Sequence, residues 1–299
     1  MKLVSFDGGR IGVVLEDGIV DITALSGVTA GSWPPVGMVR LIADFDGLRD
    51  AIAQAVSDGR RLDPAQLRLE APVQWPNKLI AYPANYQAHI EEQITSKVGL
   101  ISTFKASGQG FFLKANSSLS GPSDPIVLPA LPDRDIHHEC ELAVVIGKGG
   151  RGIPRERAME HVFGYSCLLD MVVRGREERV MRKSFDSFCP LGPHIVTADE
   201  IADPAAISLE LRVNGELRQQ ASTRDLIVDI PEMIAMASSV MTLCPGDIIA
   251  SGTPAGVGPV VGGDVVTISI SGVGEMSLPV VQGAAGAHSV WDKQEALSA

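Results

Sequence analysis

Two acids two residues apart, Glu139 and Glu141, follow His137 and His138 and lead into the apolar run Leu142-Ala-Val-Val-Ile146. Side chains alternate faces along a strand, so these carboxylates project to one face about 7 Å apart. Two like charges that close, entering a core strand, are costly unless a cation lies between them. From the pair alone, a simply solvated strand end accounts for it equally well. Asp170 shifts the reading, because it ends the next apolar run, Val162 to Leu169, just before a charged segment. Three carboxylates with no competing Cys/His spacing make an all-oxygen set, which suits Mg²⁺, Mn²⁺ or Ca²⁺ better than zinc. His137 and His138 read as groups around such ligands, or as plain strand-entry residues.

A second constellation is Asn85-Tyr86-Gln-Ala-His89-Ile-Glu-Glu92. Asn85 has the chemistry of a helix cap, and His89 and Glu92 would then share one helix face. A carboxylate holding an imidazole can take a proton from water, although such a pair on a helix is more often a surface contact. Lys183-Ser-Phe-Asp186 leads into Cys189-Pro-Leu-Gly-Pro193, a rigid turn able to hold a lysine in a pocket. Ser251-Gly-Thr253-Pro-Ala-Gly-Val-Gly258 is a glycine-rich loop that could offer backbone N–H groups and a hydroxyl to a carboxylate. It is neither a dinucleotide loop nor a P-loop, and a serine-hydrolase elbow is absent.

The elements that must position these residues are mainly strands. With 31 glycines and 19 prolines in 299 residues, the chain favours short strands and tight turns over a helical bundle. Leu3–Phe6, Ile11–Leu15 and Ile19–Ile22 are short apolar runs separated by Asp-Gly turns. The segment Ile207–Val213 alternates with period two before an Asn214-Gly215 hairpin turn, and residues 266–270 alternate in the same way. A helix is expected where Met233, Met236, Ala237, Val240 and Leu243 recur at three-to-four spacing, started by Pro231 and stopped by Pro245-Gly246. We expect a small N-terminal β-rich domain over 1–75, a catalytic domain over 76–285 and a tail over 286–299. A net charge of −11 argues against nucleic acid or an anionic membrane as partner. No apolar run approaches the ~18 residues of a membrane span, and four dispersed cysteines fit a reduced, cytoplasmic protein.

In this order, the segments resemble the fumarylacetoacetate hydrolase superfamily over roughly residues 78–282. The motifs are NYQAH…E (85–92), FLK (112–114), HECELAVVIG (138–147), GYSCLLDMVVR (164–174), KSFDSFCPLGP (183–193), VNGE (213–216), LCPGDIIASGTPAGVG (243–258) and GD (263–264). The resemblance implies an α+β, mainly β fold, a mixed β-roll that usually dimerises. It implies Mg²⁺ or Mn²⁺, in some members Ca²⁺, held by Glu139, Glu141 and Asp170. By the same likeness His89 and Glu92 form a water-activating dyad and Lys183 is an active-site lysine. Tyr86, Lys114, Arg174 and Thr253 are then substrate-binding residues. The chain departs from the family at Gly175, where an aspartate is usual, and at Glu177, where a glutamine is usual. The span from His89 to Lys114, which often forms a lid, is also longer.

The chemistry implied is hydrolysis of a C–C bond in a 3-acylpyruvate such as maleylpyruvate or fumarylpyruvate, with release of pyruvate, in aromatic-compound catabolism. The ion would stabilise the departing enolate, His89 would activate water and Lys183 would stabilise the oxyanion. The nearest rival is decarboxylation or isomerisation of a 2-oxo acid at the same site. A more distant one is a catalytically silent β-roll that serves as a binding module.

Overall fold

The structure, a computed structural model, describes residues 1–96, 105–131, 133–285 and 288–291. Of the tail, only 288–291 fall among the described residues, and the middle of the expected lid, 97–104, lies outside them. The fold is mainly β with some α, a mixed roll.

Its spine is one long sheet. From an edge at Arg61–Leu62 it runs through Gly18–Asp21, Arg10–Leu15, Lys2–Phe6, Cys189–Thr197, Val162–Leu169, Cys140–Ile146, Ile248–Ala250 and Leu79–Ala81 to an edge at Phe112–Lys114. Lys2 and Leu3 pair antiparallel with Val196 and Ile195, so the N-terminal strands continue the sheet that carries the acids. A second sheet is built on Ser208–Val213, Glu216–Ser222, Val265–Ile270, Gly274–Ala285 and Ile126–Ala130. The hairpin between its first two strands turns at Asn214 and Gly215, both at positive φ, as a two-residue turn requires.

Both faces of Cys140–Ile146 are covered, which is why its stretch from Leu142 to Ile146 reads as an unbroken apolar run. Leu142, Val144 and Ile146 pack toward Leu209, Leu211, Val266 and Ile268 of the second sheet. Ala143 and Val145 pack instead with Leu3, Ile11, Leu41 and Ile52. Full burial of each such aliphatic side chain stabilises the fold by about 1.5–3 kcal/mol. The expected helix is present as Ile230–Val240, with the Asp229 carboxylate accepting from the Glu232 N–H and Pro231 in the first turn. It ends three residues short of Leu243, because Leu243 exchanges two backbone hydrogen bonds with Gly150 instead of continuing the spiral. Tyr82 donates from its Oη to the Met233 carbonyl and ties this helix to the strand edge.

The site lies where the long sheet meets a small one. The chain breaks its strand at Glu139: Ile136–His138 pairs with Val172–Val173 and Gly258–Pro259, whereas Cys140–Ile146 pairs in the long sheet. Its neighbour breaks at the matching place, since Asp170 follows Val162–Leu169, and the Asp170 N–H donates to the Glu139 carbonyl at 2.9 Å.

Candidate active site

The two matched breaks point Glu139, Glu141 and Asp170 at one place. One carboxylate oxygen from each lies within 4.8 Å of the others, and all three residues are buried. Among the described residues this is the one such group of potential ligands, and neither His137 nor His138 belongs to it. Lys183, following the short helix Arg179–Arg182, donates from Nζ to Glu139 Oε2 at 2.6 Å and to Asp170 Oδ2. Lys114 ion-pairs with Asp170 from behind and donates to the Phe188 carbonyl at 2.9 Å. Glu141 has no cationic side chain paired with it among the described residues and accepts from the Gly252 N–H at 2.8 Å. Gly252 must be glycine, because its φ is +89° and a Cβ there would lie 2.7 Å from Asn85 Cβ and the Tyr82 carbonyl.

Electrostatics separate the acids. Burial pushes Glu139 up, but Lys183 and Arg174 beside it outweigh this and hold its carboxyl at about 2. Burial followed by the charge of Asp170 pushes Glu141 well above the usual range. The donor set is thus three hard oxygens with one acid left uncompensated, and this fits a divalent cation. His137 is driven down to about 3 by burial and then by Arg174, so it is neutral.

Across a cavity of about 370 Å³ stands the helix Gln87–Ser96. His89 Nδ1 lies 3.1 Å from Glu92 Oε2, and Glu92 Oε1 accepts from the Gly256 N–H at 2.8 Å. Burial pushes the Glu92 carboxyl up, but the bonds from His89 and Gly256 win and its pKa is lowered. His89 Nε2 sits 2.8 Å from the Gln93 amide nitrogen, so the tautomer with its proton on Nδ1 leaves Nε2 an acceptor. Asn85 does not cap this helix. Its Nδ2 donates to the Val228 and Ser251 carbonyls and its Oδ1 accepts from the Val228 N–H, which fastens three segments together.

The structure brings seven of the sequence-derived residues into the cavity wall: His89, Glu139, Glu141, Asp170, Arg174, Lys183 and Thr253. Glu92 stands behind His89, and Lys114 behind Asp170. Tyr86 is buried outside the wall, and its Oη has no hydrogen-bond partner among the described residues. A larger hollow of about 920 Å³, beside Phe45–Arg49 and Thr197–Asp199, includes none of these residues.

Several residues in the wall or behind it were not singled out from the sequence, and Gln219 stands behind Thr253. Gln219 comes from the otherwise exposed strand of the 214–215 hairpin and is itself buried. Its Oε1 accepts from the Cys140 N–H and faces His138 Nδ1, while its Nε2 donates to Thr253 Oγ1 at 2.8 Å and to the Pro254 carbonyl. Thr253 Oγ1 is thereby an acceptor toward Gln219, and its own proton is left to be donated elsewhere. Gln93, Gln109, Phe112, Arg179 and Arg182 also line the cavity. The run of basic residues from Arg174 to Lys183 was the available signal for the two arginines. The two departures explain each other. Glu177 takes both guanidinium nitrogens of Arg134, at 2.9 and 2.7 Å, and a Cβ at Gly175 would collide with that guanidinium.

The fold and site define a mixed β-roll protein with an acidic, metal-ready pocket facing a histidine–carboxylate pair. The chain belongs to the fumarylacetoacetate hydrolase family: the fumarylacetoacetate (FAA) hydrolase C-terminal model matches residues 78–281. Maleylpyruvate hydrolase of Aquipseudomonas alcaligenes is 45% identical over 285 residues, which cover 94% of this chain and 99% of that one. The crystal structure of maleylpyruvate hydrolase from Sphingobium sp. SYK-6, in complex with manganese(II) ion and pyruvate, is 57% identical with a TM-score of 0.86. That likeness covers 95% of this chain and 100% of the other. The mitochondrial oxaloacetate tautomerase fahd2 of Xenopus laevis is 37% identical over 94% of this chain and 90% of its own length.

Proposed function

We propose that this protein is a metal-dependent hydrolase that cleaves a C–C bond in a 3-acylpyruvate such as maleylpyruvate or fumarylpyruvate and releases pyruvate. The observation that carries the reading is the near full-length likeness, at 57% identity, to a maleylpyruvate hydrolase described with manganese and pyruvate. Glu139, Glu141 and Asp170 would hold the ion, Mn²⁺ or Mg²⁺. When bound, it supplies Lewis-acid polarisation at the 2-oxo acid end of the substrate. His89 takes the proton of the attacking water at Nε2, with the Gln93 amide giving up that lone pair to the water, because Glu92 fixes the other ring proton on Nδ1. Lys183 places an ammonium where negative charge grows on substrate oxygen. Arg174 and Thr253 bind the substrate's carboxylate and carbonyl oxygens, and Lys114 acts through Asp170.

We also propose a homodimer in the cytoplasm. Leu113 on the edge strand and Val180 and Met181 on the adjoining helix are exposed apolar side chains that a second copy would cover, and light scattering tests this. Among the described residues no helix is long and apolar enough to cross a membrane. The division into 1–75, 76–285 and 286–299 is kept as functional, since every cavity-lining residue falls in the middle segment.

The test is a panel of 3-acylpyruvates assayed with Mn²⁺ or Mg²⁺, with pyruvate release as readout. Ion-dependent release from maleylpyruvate or fumarylpyruvate is expected. The tautomerase relative favours a second reading at the same site, enolisation of a 2-oxo acid without attack by water. Ion-dependent tautomerisation of oxaloacetate with no pyruvate release from any acylpyruvate would establish that reading instead.

A further inference from the structure

The cavity has a second cationic place that the chemistry above does not use. Arg179 starts the helical turn that ends at Lys183, so the two side chains lie one turn apart on the same side. Both stand over the Phe112 ring, Arg179 Cζ 5.3 Å and Lys183 Nζ 5.7 Å from its centroid. Lys183 is tied to Glu139 and Asp170 at the acidic end. Arg179, farther along the ring, is paired with no carboxylate among the described residues and makes one hydrogen bond there, to Gln109 Oε1 at 3.0 Å. Its neighbour Arg182 is different, since Arg182 spends Nε on the Glu177 carbonyl and Nη1 on the Val173 carbonyl. Burial lowers the pKa of Arg179, which records a desolvated guanidinium. A desolvated guanidinium with most of its five donors unused is a strong receptor for a carboxylate, because it offers two parallel N–H bonds without first shedding much water. Arg174 adds to this. Its Nη2 lies 3.2 Å from Glu139 Oε1 as an ion pair without hydrogen-bond geometry, and among the described residues neither Nε nor Nη2 has a hydrogen-bond partner.

We propose that Arg179, set by Gln109 and the Phe112 face, is the receptor for a second carboxylate at the far end of the substrate. The pocket then selects 2-oxo acids that carry a terminal carboxylate over equally long ones that end in a methyl group. The proposal rests on the oxo-acid reading of the site and names the residue that reads the far carboxylate, which maleylpyruvate and fumarylpyruvate both carry. Arg179 is a specificity-determining residue here, away from the bond that breaks.

The test compares two six-carbon ligands, 2-oxoadipate and 2-oxohexanoate, titrated calorimetrically into the Mn²⁺-loaded full-length protein, its Arg179→Met and Arg179→Lys variants, and Gln109→Leu. The wild type should bind the dicarboxylate about tenfold or more tightly than the monocarboxylate, the scale of one charge-assisted bidentate contact. Arg179→Met should bring that ratio to about one, and Arg179→Lys should leave an intermediate ratio. Gln109→Leu should lower it by a smaller factor and supplies the answer if Arg179→Met does not fold. A wild-type ratio near one, a ratio that survives Arg179→Met, or equal weakening of both ligands would overturn the proposal. Binding is read without turnover. A protein that shows the ratio yet cleaves no acylpyruvate would therefore lose the hydrolase reading and keep the subsite.

Discussion

Asp247 and Glu141 are both buried carboxylates on neighbouring strands of one sheet, and their surroundings are opposite. Asp247 stands just before Ile248–Ala250 and is fully enclosed. Its Oδ1 accepts from the Lys78 N–H and its Oδ2 from the Cys244 N–H, and Lys78 Nζ lies 2.8 Å away. Every lone pair that matters has a partner, and the acid joins the entry of two parallel strands. Glu141 has one backbone N–H, two acids as neighbours and, among the described residues, no cationic side chain paired with it. A buried acid with matched donors belongs to the fold. One left short of a positive charge by its own chain marks a place for something the chain does not contain.

That contrast can be broken from either side. The largest effect is expected from Glu141→Gln, which should lower ion-dependent turnover by more than a thousandfold while leaving the chelated protein as stable as wild type or more so, by thermal melting. An equal loss of stability would put Glu141 in the same class as Asp247. Next is His89→Ala, which removes the base and leaves the ligands. Turnover should fall by about 10²–10⁴-fold with ion affinity retained. Pyruvate release at the wild-type rate would reduce the His89–Glu92 pair to a structural contact. Asp247→Ala should show the converse of Glu141→Gln, a loss of about 3 kcal/mol in denaturant unfolding, because it leaves Lys78 and two N–H groups without their acceptor. A smaller effect belongs to Gln219→Leu, expected to raise KM by about tenfold, the worth of one hydrogen bond that orients Thr253. The smallest is a pH effect on Glu92→Gln. The Glu92 pKa is depressed in the fold, so its contribution is present above the unfolded value of about 4.3 and fades as pH falls through the lower folded value. The stability cost of this variant should thus shrink on acidification below pH 4 or so, and a cost that grows there would contradict the assigned sign.

What the sequence disclosed follows the same divide between local and distant causes. The E-x-E pair, the acid at the next strand's end and the His89–Glu92 spacing are local patterns, and the structure places all five side chains around one cavity or directly behind it. The hairpin at Asn214-Gly215 and the start of the Ile230–Val240 helix were legible because turn and cap chemistry are written in adjacent residues. The end of that helix was not, because it is decided by Gly150, some ninety positions away. Gln219 could not be singled out either, since alternation marks it as one more polar residue of an exposed strand and only the packing of two sheets turns it inward. Tyr86 and Lys114 were named from the motifs, and both lie beside the pocket, behind its wall. The pairing of Gly175 with Glu177 was visible as two departures, but Arg134, which makes sense of both, lies about forty residues upstream.

The central claim is that Glu139, Glu141 and Asp170 form a cation site, with Glu141 as the acid that requires the ion. The measurement that bears on it most directly is calorimetric titration of Mn²⁺ into the chelated full-length protein, alongside Glu141→Gln and Asp247→Asn. The account predicts one ion per chain in wild type and in Asp247→Asn, with affinity reduced at least a hundredfold in Glu141→Gln. Undiminished binding by Glu141→Gln, or no stoichiometric binding by the wild type, would contradict it.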